Sequence, residues 1–103
     1  KVISSKLIVP IAVTANGSTN MTATLTKVDA AGINGATVAA ATTDVAGGSL
    51  VAHVPKLLTA TAANAILPSG WTLHAAVSKA STGVAFTAAT SQAYMEVTLE
   101  VAV

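Results

Sequence analysis

The stretch NMTATLTKV, residues 20–28, alternates apolar and polar side chains one for one. Its apolar members share one face: Met21, Ala23 and Leu25. The other face is a row of threonines, whose branched β-carbons favour an extended backbone. A period of two residues is that of a β-strand with one buried and one solvated face. The stretch therefore predicts a half-buried strand.

The same period recurs towards both ends of the chain. Near the N-terminus the apolar residues expected on one face are Ile3, Leu7, Val9, Ile11 and Val13. Pro10 donates no backbone hydrogen bond, so this strand is either a sheet edge at that point or broken into two. Pro10 also leaves open an exchange of this strand with a neighbouring subunit. In YMEVTLEVAV, residues 94–103, the strongest pattern, one face carries Met95, Val97, Leu99, Val101 and Val103.

Three further segments carry strand patterns. ATVAAATT, residues 36–43, is rich in alanine, yet its threonines and valine favour a short strand. SLVAHVP, residues 49–55, alternates and ends at a proline. In WTLHAAVSK, residues 71–79, the residues expected to face inward are Trp71, Leu73, Ala75 and Val77.

The connecting segments contain turn residues and one ambiguity. Asn16-Gly17 is typical of a hairpin turn, and Gly47-Gly48 predicts another turn. In KLLTATAANAILPSG, residues 56–70, we predict a strand over Leu57–Thr61 followed by a loop, with one or two helical turns over Thr59–Ala65 as the alternative. Residues 80–93 form a predicted loop rich in serine and threonine.

About six to eight short strands joined by turns predict an all-β fold. We expect a single antiparallel β-sandwich or jelly-roll-like barrel spanning residues 1–103. A chain of 103 residues has room for one hydrophobic core.

The predicted core is thin. Hydrophobic residues make up 52% of the chain, but 23 of them are alanine. Burial contributes about 25 cal/mol per Å² of apolar surface, so alanine adds far less than leucine or phenylalanine. Trp71, which follows a Pro-Ser-Gly turn, is therefore the expected core anchor.

Charge is scarce. Only 9% of the residues are charged, against about 25% in ordinary domains. Five lysines are the only basic residues besides histidine, and the net charge is +1, which argues against a nucleic-acid partner. Polar residues interrupt every apolar run, which argues against a membrane-spanning helix. Such a weakly charged surface suits a subunit that partners cover.

Two histidines and two aspartates are the candidates for catalytic groups: His53, His74, Asp29 and Asp44. No Gly-x-Ser-x-Gly sequence or cysteine supplies a nucleophile. A metal site joining both histidines to Glu96 or Glu100 lacks the spacing of a metal-binding motif. We therefore predict a non-enzymatic protein with no catalytic, cofactor-binding or metal-binding residues and no cofactor.

Two further pairs of residues lie within a few positions of each other. Trp71 and His74 differ by an odd number of positions, so on a strand they point to opposite faces. Glu96 and Glu100 share one face of the last strand, where we expect them to keep that face solvated or to meet Lys27 or Lys79 across strands.

The order and texture of the chain resemble those of small structural proteins of tailed-phage virions. The segments that carry the resemblance are KLIVPIAVTANGSTNMTATLTKVDAAG, LTATAANAILPSGWTLHAAVSKASTGVAF and YMEVTLEVAV. The resemblance implies a β-sandwich or jelly-roll subunit on the capsid surface, of the head-decoration or fibre-base type. Its implied partners are a major capsid or other virion protein and further copies of itself, with a trimer favoured. It assigns no individual residues.

An alternative function is that of a small carbohydrate- or surface-binding β-module of a secreted or adhesin-type protein. Such a module needs a platform of aromatic side chains, and the chain offers three: Trp71, Phe86 and Tyr94.

Overall fold

The protein folds into two antiparallel β-sheets that pack against each other, as a computed structural model describes for residues 1–18, 20–79 and 93–101. The strands are β1 (Val2–Ile8), β2 (Met21–Val28), β3 (Gly35–Thr42), β4 (Lys56–Leu57), β5 (Thr59–Ala60), β6 (Thr72–Lys79) and β7 (Tyr94–Leu99). The first sheet has the order β4-β1-β7, and the second has the order β5-β3-β2-β6. The predicted β-sandwich is confirmed.

Strand β2 lies inside the second sheet and follows the predicted alternation. Met21, Ala23 and Leu25 are buried, and the intervening threonines are half-buried. β2 pairs with β3 on one side and with β6 on the other. We call the end of the sandwich where β2 begins the upper end, and the end where β2 finishes the lower end.

A β-bulge in β1 changes which residues face the core. The pairing with β7 shifts register between Val2 and Ser4, so Ile3 is an extra residue on β1. Val2 is buried in its place, and Ile3 is 51% exposed. The prediction that Ile3 faces inward is therefore wrong, because one inserted residue reverses the faces before it.

The N-terminal strand is broken near Pro10, which is one of the two predicted alternatives. β1 ends at Ile8, and the next paired residue is Val13, which forms an isolated bridge with Leu50. Ile11 lies between them and is 52% exposed, so its predicted inward position is wrong. β1 pairs on both sides within its own chain.

A second bulge lies in β3. Its register with β2 shifts between Leu25 and Thr26, which leaves Val38 as the extra residue. Val38 and its neighbour Ala39 are both buried in the core. Without the bulge, this alanine-rich strand would bury only every second residue. The inserted residue allows Val38 to be buried as well.

The ambiguous segment after residue 56 combines both interpretations. The predicted strand over Leu57–Thr61 is divided, because β4 pairs with β1 and β5 pairs with β3 in the other sheet. Leu58 makes the crossing, is 3% exposed, and donates its N–H to the Ser5 carbonyl at 2.9 Å. A short 3-10 helix, Ala62–Asn64, follows.

Two sequence predictions fail at the upper end. Residues 49–55 form no strand, because the Val54 N–H bonds the Val51 carbonyl at 3.1 Å and closes a turn with His53 at φ 61°. Asn16-Gly17 does not close a hairpin, since β1 and β2 belong to different sheets. Elsewhere, β7 finishes at Leu99, and the predicted inward positions of Leu99 and Val101 are wrong, because these side chains are 52% and 81% exposed.

Some predicted features lie outside the described residues. They are Val103, Phe86 and nearly all of the predicted loop over residues 80–93.

The predicted turn at Gly47-Gly48 is confirmed and is tightly built. The Asp44 carboxylate accepts the Gly47 N–H at 2.5 Å, and the Asp44 carbonyl accepts the Gly48 N–H at 3.0 Å. The Lys56 ammonium donates to the Gly47 carbonyl. A β-carbon at Gly47 would lie 1.9 Å from the Thr42 carbonyl oxygen, so this position admits only glycine.

We expect Gly47→Ala to lower the free energy of unfolding by roughly 2–3 kcal/mol, because the added methyl group meets fixed backbone. Gly17→Ala is the matched control: its β-carbon would make an ordinary 3.8 Å contact with Val45, so we expect a change within about 0.5 kcal/mol. Urea unfolding midpoints measure both. Equal effects of the two substitutions would contradict this account of the turn.

Candidate assembly surface

The two histidines lie at opposite ends of the sandwich. His53 occupies the upper-end turn, and His74 lies opposite Thr26 near the end of β2. The His74 ring nitrogen Nε2 is 2.9 Å from the Thr72 hydroxyl. The metal pairing of His53 with His74 weighed from the sequence is therefore not assembled. Among the described residues, no three histidine or acidic side chains gather as a metal site would require.

The two aspartates are held by the loops that contain them. Asp29 closes the β2–β3 connection: its carboxylate accepts the Ile33 N–H at 3.0 Å and the Asn34 side-chain amide at 2.7 Å. The backbone N–H of Ile33, followed by the Asn34 amide, holds the pKa of the Asp29 carboxyl below its ordinary value. Asp44 accepts the Gly47 N–H as described above. Both carboxylates thus stabilise turns.

Glu96 and Glu100 meet partners other than those expected. Glu96 lies directly opposite Lys6 on β1, so the expected pairing with Lys27 or Lys79 is wrong for this residue. Glu100 follows β7, where its backbone N–H bonds the Lys1 carbonyl at 2.8 Å. The exposed Glu96 side chain keeps the outer face of the first sheet polar, as predicted.

Trp71 is half-buried and lies outside the core cluster, so its predicted role as core anchor is wrong. The Lys27 ammonium lies 5.7 Å from the centre of its ring and donates to the Ile66 carbonyl at 2.8 Å. Lys27 is opposite Leu73 in the register, at the lower end of β2. Trp71 and Lys27 thus lie together at the lower end of the sandwich, and the core cluster itself contains no aromatic side chain among the described residues.

The aromatic side chains do not form one platform. Trp71 immediately precedes β6 at the lower end, beside the last residues of β2. Tyr94 begins β7 opposite Ile8, the last residue of β1, at the upper end. The described part of the chain therefore separates two of the three rings that a carbohydrate platform would need, and Phe86 lies outside that part.

The surface is rich in large apolar side chains. Eleven in the described ranges are more than half exposed: Ile3, Ile11, Ile33, Val45, Val51, Val54, Leu57, Ile66, Tyr94, Leu99 and Val101. At the upper end, Ile11 and Val51 lie on adjacent antiparallel segments, which are joined by the Val13–Leu50 bridge and by the bond from the His53 N–H to the Val9 carbonyl. Contiguous exposed apolar surface is typical of a contact site for another molecule.

An open groove of about 640 Å³ lies beside these residues. Three threonines line it together with two charged residues: Thr22, Thr42, Thr59, Asp44 and Lys56. Both charged groups already bond Gly47. Three alanines, Gly47 and Leu57 complete the lining, so the groove is of mixed polarity, and its two charged groups are engaged in holding the loop.

No family model, characterised protein or solved structure matches this chain in the comparisons. The structure of residues 1–18, 20–79 and 93–101 contains no helix with the length and apolar character needed to cross a membrane. The functional argument therefore depends on the fold and its surfaces.

We expect Trp71→Ala to lower the free energy of unfolding by only about 1–2 kcal/mol, below the roughly 3–5 kcal/mol typical of a tryptophan removed from a core. Part of this loss is the cation–π contact, which Lys27→Met removes while keeping an unbranched side chain. Thermal and urea unfolding of both variants test this expectation. A Trp71→Ala chain that does not fold would restore the core-anchor interpretation.

The hydrogen bonds to Asp29 predict a pH dependence. Because the folded-state pKa is lowered, the carboxylate stabilises the fold above its unfolded-state pKa, and this contribution is lost as pH falls through the folded-state value. We expect the urea midpoint to fall as pH drops below the ordinary pKa of an aspartate, and Asp29→Asn to reduce that slope. Asn34→Ala should reduce it partly, because the Ile33 N–H remains. An unchanged slope in Asp29→Asn would contradict the assignment.

Proposed function

We propose that this protein is a non-enzymatic structural subunit of a tailed-phage virion. It packs on the capsid shell as a decoration or stabilising protein and associates with further copies of itself. Its partners are then a major capsid or other virion protein and its own chain, and its location is the capsid surface.

The observation that carries the proposal is the character of the surface. Eleven large apolar side chains are more than half exposed in the described ranges, while the whole chain has five lysines and four acidic residues. A free monomer of ordinary composition relies on charge for solubility. A subunit whose surface is covered by neighbours gains stability from the same apolar side chains.

The structural roles of the polar residues also support the proposal. Asp29 and Asp44 hold turns, and Lys27 bonds the Ile66 carbonyl at the lower end of the sandwich. These groups maintain the framework of a small domain whose aliphatic core is thin. Such a framework suits a protein whose task is to present a surface, and the resemblance in chain order to phage virion proteins favours the capsid as the place where that surface is used.

The proposal is tested on particles. We expect the protein to co-purify with phage capsids through a density gradient, at a copy number that is a fixed ratio to the major capsid protein by quantitative mass spectrometry. Purified protein should rebind to particles stripped of it. Val51→Asp with Val54→Asp, a pair on the apolar upper end, should weaken rebinding, and Thr98→Asp on the outer face of β7 is the matched control.

Two results would contradict the proposal. One is the absence of the protein from purified particles of a phage that expresses it. The other is a stable monomer at micromolar concentration, by sedimentation, that shows no affinity for particles. The same sedimentation experiment gives the mass of the assembled protein and so tests the trimer that the resemblance favours.

A further inference from the structure

We propose that the free edge of β6 pairs with β6 of a second copy of this chain, antiparallel and about a two-fold axis through Ala75. The inference identifies the self-contact of the proposed homo-oligomeric subunit, and it rests on that proposal for its biological role. The contact would join two four-stranded sheets into one continuous sheet of eight strands.

The edge of β6 is long and regular. All eight residues of β6 pair with β2 without a register shift, from Met21 opposite Lys79 to Val28 opposite Thr72. On its other side β6 has no partner among the described residues. It contains no proline and no bulge, which are the usual devices that prevent edge pairing.

The opposite side of the sandwich is built differently. There the edge strands β4 and β5 have two residues each, and Leu58 carries the chain from one sheet to the other between them. Short edge strands offer few free N–H and C=O groups to another chain. The fold thus closes one side, and on the other side β6 keeps a full-length edge that no described residue pairs with.

The inner face of β6 is also incompletely covered. Ala75 lies directly opposite Leu25 on β2, yet Leu25 is 2% exposed and Ala75 is exposed. Leu73 and Val77, on the same face, are half-buried against the core cluster. A small cavity of about 90 Å³, lined in part by Ala75 and Met95, opens between the sheets here. A second copy would continue the core across this opening.

The requirement that faces match selects the register. A two-fold axis perpendicular to the sheet keeps both inner faces on one side, so odd positions must pair with odd positions. With Ala75 on the axis, Leu73 lies opposite Val77 of the partner subunit, and Thr72 lies opposite Ser78 of the partner subunit. Both are favourable cross-strand pairs.

Neighbouring registers are less favourable. With the axis at Ala76, Lys79 would lie opposite the half-buried Leu73 of the partner subunit. An axis at His74 sets two titratable side chains against each other. The Ala75 register has neither conflict, and this self-complementarity of β6 identifies a second copy as the occupant of the edge. A trimer, by contrast, requires a head-to-tail contact between two different surfaces.

The first test is sedimentation with charge substitutions at Ala75. We expect the wild-type chain to form a dimer, and Ala75→Glu or Ala75→Lys to raise the dissociation constant at least roughly 100-fold, because like charges meet on the axis. A mixture of the two variants should recover a heterodimer, since the charges are then opposite. Ala60→Glu, on the exposed two-residue edge strand β5 of the same sheet, is the matched control and should leave the dimer intact.

The second test does not depend on how a charge affects folding. The chain has no cysteine, so Ala75→Cys introduces a single thiol. Residues directly opposite in antiparallel strands have β-carbons about 4.5–5.5 Å apart, near the span of a disulfide. Mild oxidation should give a covalent dimer from Ala75→Cys and none from Ala60→Cys at the same concentration.

The outcomes separate the two proposals. A wild-type chain that stays monomeric at about 100 μM, or a dimer that Ala75→Glu leaves unchanged, overturns the β6 contact. Slow amide exchange along the β6 edge in a monomer overturns it as well, because another segment would then occupy the edge. A monomer that still rebinds particles refutes only the β6 contact. A β6 dimer absent from particles refutes only the virion function.

Discussion

The pairing of β2 on both sides is the constraint on which the rest of the structure depends. It joins β3 and β6 into one sheet, and its apolar face supplies Met21, Ala23 and Leu25 to the core. The start of β2 is fixed by Thr43, which is 2% exposed and whose hydroxyl accepts the Met21 N–H at 3.0 Å. The register of this one strand therefore sets which residues of β3 and β6 lie opposite its buried face.

The sequence predicts the strands better than it predicts their faces. Regular alternation identifies β2, β6 and β7 because nothing interrupts their period. Bulges at Ile3 and Val38 insert one residue each, and a single-sequence pattern does not reveal them because they arise from the pairing with another strand. Residues 49–55 alternate as a strand does, yet within the described ranges their backbone joins other segments only through the Leu50 bridge to Val13 and one bond from the His53 N–H to the Val9 carbonyl, and it turns at His53. Pairing is a tertiary property.

The functional surface is harder still to foresee. The spacing of the two histidines lacks a metal-binding motif, and the fold places them at opposite ends of the sandwich. The sequence overestimates the contribution of Trp71 to the core, since a single large ring in an alanine-rich chain suggests a core anchor. In the structure the ring lies at the lower end beside the Lys27 ammonium, which donates to the Ile66 carbonyl. Low charge predicts a covered surface, but only the fold shows that Ile11 and Val51 lie on adjacent antiparallel segments.

The alanine content connects the core with the edge. Alanine buries little apolar area, so the many alanines of this chain add little to a core that consists mainly of leucine and valine. On β6, Ala75 is exposed although Leu25, which lies opposite it on β2, is fully covered. Apolar burial is therefore incomplete beside a strand edge that has no partner among the described residues. The association that we propose along β6 would supply both, because a second strand would satisfy the edge groups while its inner face extended the core.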